Sequence, residues 1–69
     1  MRFLLVVPVL LVGMKDQLLE VRLAAMEALG QLGPEAKDAI PALTAATRDS
    51  QTVIREAAAE ALKKIQANP

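Results

Sequence analysis

The 69-residue chain has no cysteine, no histidine and one aromatic residue, Phe3, and its eight basic residues are balanced by eight acidic ones. Each absence removes a class of function. Without cysteine there is no disulfide and no thiolate metal site, and without histidine the commonest metal ligand and general base is missing. A neutral chain has no electrostatic reason to seek nucleic acid or an anionic membrane surface. A single aromatic offers no platform on which bases could stack. No cofactor, metal or nucleic-acid partner is therefore expected, and no catalytic residue stands out. A cytoplasmic location is only the default expectation, because absent cysteines do not specify a compartment.

What is present is apolar. Hydrophobic residues make up 54% of the chain, with many Ala and Leu and only three glycines and four prolines, a palette suited to close-packed helices. The most conspicuous run is FLLVVPVLLV, residues 3–12. A membrane-spanning helix needs about 20 apolar residues, and this run is bounded by Arg2 and by Gly13-Met14-Lys15-Asp16. As a secretion signal it has a thin basic region and no small-x-small cleavage site after it. The expectation is a folded first helix, with a secreted or membrane-attached chain using residues 1–13 as the alternative.

The organising feature is an internal repeat. Residues 6–32 align without a gap on residues 39–65 at an offset of 33, with nine identical columns that include Pro8/Pro41, Asp16/Asp49, Arg22/Arg55 and Glu27/Glu60. In the first copy Val21, Ala24, Ala25, Ala28, Leu29 and Leu32 fall on one helical stripe, and Ile54, Ala57, Ala58, Ala61, Leu62 and Ile65 repeat it. Gly33 is placed to stop a helix in a left-handed conformation, and Pro34 to stand at the first position of the next. Asp16 and the Asp49-Ser50 pair are candidate helix caps. These signals predict an all-α domain over residues 1–69, with helices near 3–14, 19–32, 35–47 and 52–66. They would form two stacked hairpins, unit one (about 3–32) and unit two (about 35–66).

A Pro in the first helix, then Asp, then Arg six residues later opening an Ala-rich helix, resembles the HEAT repeat. The resemblance is to its short form in phycobilisome-lyase-related proteins. It rests on VPVL…KDQLLEVRLAAMEALGQLGPEA and IPAL…RDSQTVIREAAAEAL, and spans essentially residues 4–66. It implies an α-solenoid whose job is protein binding or scaffolding rather than catalysis. A weaker implication is an accessory piece of a chromophore lyase. It also implies that Asp16 with Arg22, and Asp49 with Arg55, are structural pairs that tie successive turns.

The remaining polar candidates have plainer readings. Glu27 and Glu60 are most simply solvated, and Ser50 has no histidine to activate it. Pro8 and Pro41 would each cost a helix hydrogen bond and bend the first helix of their unit. The asymmetry between the units is more informative. Leu4, Leu5, Leu11, Met14, Leu19, Leu23 and Met26 stand where unit two is mostly polar, so unit one carries surplus apolar surface. Two repeats are fewer than the about three usually needed for stability. The expectation is association through that surface with a second copy, as a homodimer or higher closed oligomer, or with another protein.

Overall fold

The structure, a computed structural model, describes residues 5–67. It is all-α: α1 (Val6–Gly13), α2 (Leu19–Leu32), a 3-10 segment (Gly33–Ala39), α3 (Ile40–Ala46) and α4 (Thr52–Ile65). No strand occurs among the described residues. α1 and α2 form one hairpin, the 3-10 segment with α3 and α4 the other, and α2 packs against both α1 and α4.

The third helix departs from expectation. It begins as a 3-10 turn, with Ala36 off the helical backbone (φ −97°, ψ 23°), and becomes α-helical only at Ile40. Pro41 explains this. Its ring would collide with the carbonyl of residue 37 in an α-helix, and here the Lys37 carbonyl accepts the Ile40 N–H instead. Both prolines thus sit in the first turn of a helix, Pro8 in α1 and Pro41 in α3, where a missing N–H forfeits no helical bond. They mark helix starts rather than bends within helices.

Gly33 ends α2 with φ 65° and ψ −142°. This is the mirror image of extended backbone rather than the left-handed helical conformation expected. Such dihedrals are open essentially to glycine alone. Space is not the reason for the glycine, since a Cβ there would meet nothing within 4 Å.

The core is small and alanine-rich. Met26, Leu29 and Leu43 are its largest fully buried side chains, joined by Val7, Ile54, Ile65 and several alanines. Each large one contributes about 1.5–3 kcal/mol of burial. The alanines contribute less but bring backbones close. At the α2–α4 crossing a Cβ on Gly30 would stand 3.1 Å from the Ala61 Cα. No polar or charged residue is buried among the described residues.

Candidate interaction surface

The Asp and Arg repeated in the two units are not held as simple ion pairs, and only those of unit two, Asp49 and Arg55, are joined. The Asp49 carboxylate accepts the Gln51 N–H at 2.8 Å, and Asp16 accepts the Leu18 N–H at 2.9 Å. Each is an Asx turn that shapes the entry to α4 or α2. The residues flanking those helices are Gln51 and Leu18, neither of which caps with its side chain, so the Asp residues act two residues before the cap. Arg55 Nη1 then donates to the carbonyl oxygens of Asp49 (2.9 Å) and Ser50 (3.1 Å), and Nη2 to the Thr52 hydroxyl (3.0 Å). The guanidinium is compensated by two backbone carbonyls and a hydroxyl rather than by the Asp49 carboxylate. In unit one the equivalent of Thr52 is Leu19, which has no hydroxyl. There the buried Nε of Arg22 has no hydrogen-bond partner.

The two units turn different faces to each other. Unit one presents Leu11, Met14 and Lys15 across a groove of about 470 Å³ to Ala42, Ala45, Ala46 and Asp49. On the second helices, Gly30 lies against Ala61 and the Lys64 stem. Met26, one turn before Gly30 on the same side, is 1% exposed.

That geometry corrects the expected interface. Met26 belongs to the core, and Leu11, Met14, Leu19 and Leu23 are half-buried and packed on it. These surplus residues of unit one differ from unit two because unit two covers one side of unit one, and nothing in the described chain covers the same side of unit two. Leu4 lies outside the described residues. Leu5 remains on the surface, 70% exposed.

The exposed apolar face is on the opposite side of unit one. Val9 (63%) and Val12 (72%) join Leu5 along α1 at i, i+4 and i+7, and Val21 of α2 is also exposed. Leu5, Val6, Val9 and Leu10 line a shallow depression of about 220 Å³ there. Val9 and Val12 escaped sequence reasoning because α1 is apolar all round. Their positions at offset 33, Ala42 and Ala45, would have marked them as facing a neighbour. Val21 and Ala24, which lie on the apolar stripe of α2, are also exposed. The other end is polar, with Thr44, Arg48, Glu56 and Lys63 exposed. Glu27 and Glu60 are also exposed. Among the described residues no group of three or more His, Cys, Asp or Glu could hold a metal ion, and no helix is long and apolar enough to cross a membrane.

A family model described as HEAT repeats matches residues 6–68. No curated protein and no solved structure matches the chain.

Proposed function

The chain belongs to the HEAT repeat family, whose members commonly serve as protein-interaction surfaces and scaffolds, and from that membership we propose a non-enzymatic interaction module that assembles through the open face of unit one. The observation that carries this reading is the exposed row Leu5, Val9 and Val12 on α1, with Val21 of α2 also exposed. In a chain with so small a core, covering them adds stability that the two units alone lack. In the absence of another protein the face pairs with its counterpart on a second copy about a two-fold axis, which closes the assembly.

Sedimentation over a range of concentrations tests this. The expected result is a dimer at micromolar concentration, dissociated by Val9→Lys with Val12→Lys. Both positions are exposed, so the substitutions perturb association without inserting charge into the core. A well-folded monomer at high micromolar concentration, unchanged by the double substitution, would overturn the proposal.

A further inference from the structure

The open face of unit one has a template within the molecule. Unit two turns the equivalent face toward unit one, and the 33-residue offset shows what each position carries. Ala42 and Ala45, which line the groove against unit one, correspond to Val9 and Val12. Ala61, which meets Gly30, corresponds to Ala28. Ile54, seven residues before Ala61 and on its side of α4, corresponds to Val21. Every one of these positions keeps an apolar or small residue. The opposite face behaves otherwise: Leu11, Met14, Leu23 and Gly30 of unit one become Thr44, Thr47, Glu56 and Lys63 in unit two. Docking chemistry is retained at one end and erased at the other.

We propose that the open face of unit one receives a further helical hairpin of the same repeat type, presenting leucine and methionine side chains with a glycine at the crossing, as unit one presents to unit two. The chain is then the closing end of a stack. This rests on the reading of that face as an interaction surface and names what fits it. A copy of the chain added head to tail does not fit. It would bring Lys63 to the place of Gly30, where even a Cβ stands 3.1 Å from the opposing Ala61 backbone. It would also set Thr44 and Thr47 against Val9 and Val12.

Extension of the full chain tests the occupant. A second copy of residues 1–33 placed directly before Met1 keeps the 33-residue register and offers the leucine–methionine–glycine face to the open one. In that added copy, Val9→Lys and Val12→Lys make the new outer face polar. Residues 34–66 placed in the same position, with Gln66→Gly to supply the joint that Gly33 makes, keep the register but offer the polar face. The first extension should raise the melting temperature by about 10 °C, a shift worth one to a few kcal/mol in a chain of this size, and yield a monomer. The second should raise it little. Gly30→Lys within the first added copy should cancel the gain. Equal shifts from both extensions, or a gain that survives Gly30→Lys, would overturn the inference. If the parent chain pairs with itself while neither extension alters its melting, the face belongs to a second copy: the hairpin occupant is then wrong and the interaction reading stands.

Discussion

α2 and α4 are two versions of one fourteen-residue helix, yet they bury different sides. α2 buries Ala25, Met26, Leu29 and Gly30, whereas α4 buries Ile54, Ala58, Ala61 and Ile65. Only Ala25 and Ala58 are equivalent. The shared stripe meets its own hairpin partner in both units, but the remaining burial follows the neighbouring unit, which lies on opposite sides of the two helices. In a repeat, a position is defined by what stands next to its unit as much as by its place within the unit.

The sharpest way to break this comparison is to place the same side chain at one repeat position in both units. Met26→Lys buries an ammonium in the core and should cost more than about 4 kcal/mol, enough to abolish the folding transition of so small a domain. Ala59→Lys, at the equivalent but exposed position, should stay within about 0.5 kcal/mol. Urea denaturation followed by circular dichroism separates the two, and similar midpoints would mean that α4 does not cover Met26.

A smaller contrast sits one turn on. Gly30→Ala improves helix propensity by about 1 kcal/mol but drives a methyl to 3.1 Å from the Ala61 Cα. Overpacking of that kind costs about 1–3 kcal/mol, so a net loss of stability is expected. Lys63→Ala has no such opposing backbone and should be neutral or slightly stabilising. A stabilised Gly30→Ala would show that the helices part at the crossing more readily than the packing indicates.

The weakest contrast concerns the arginines. Arg55→Ala removes three partly exposed hydrogen bonds, two of them to carbonyls, and should cost about 1–2 kcal/mol. Arg22→Ala should cost less, because its buried Nε lacks a partner and only the packing of its stem is lost. Thermal melts of the two single variants, and of Arg22→Ala in a Leu19→Thr background, sharpen the point: Leu19→Thr alone loses core packing, but Arg22→Ala should cost more beside the new hydroxyl than in the parent.

Much of the architecture could be read from periodicity and the repeat. The stripe from Val21 to Leu32 outlined α2, its copy outlined α4, and both helices begin and end at or within one residue of where the stripe put them. The first helices were less legible, because their ends depend on the proline rings and on a 3-10 start that no apolar pattern encodes. Of the expected ion pairs, Asp49 and Arg55 do meet, but through the Asp49 main-chain carbonyl rather than its carboxylate, whereas the buried Nε of Arg22 has no partner; residue type and spacing do not say which atom a guanidinium reaches. The interaction face was least legible. A helix apolar on every side, such as α1, carries no phase information, and comparison of the units as equals made residues that face unit two look as if they faced solvent.

The passage from α2 into unit two contains no loop: Leu32 is still helical, Gly33 turns the backbone with its positive φ, and Pro34 already lies in the 3-10 segment. The Gly33 dihedral pair, followed by the kink at Ala36 within the 3-10 segment, therefore stands between the axes of successive hairpins. A residue inserted at this joint has no slack to occupy and must alter the angle between the units, taking Gly30 out of line with Ala61. The turn at Asp16–Leu18 is exposed and can lengthen without moving either hairpin, whereas Asp49 of the second turn is half-buried on the groove between the units and its carbonyl holds Arg55. Changes of chain length are accordingly expected to be tolerated at the exposed turn of unit one and rejected between the units, which makes the joint at Gly33 the element that sets the curvature of any longer stack.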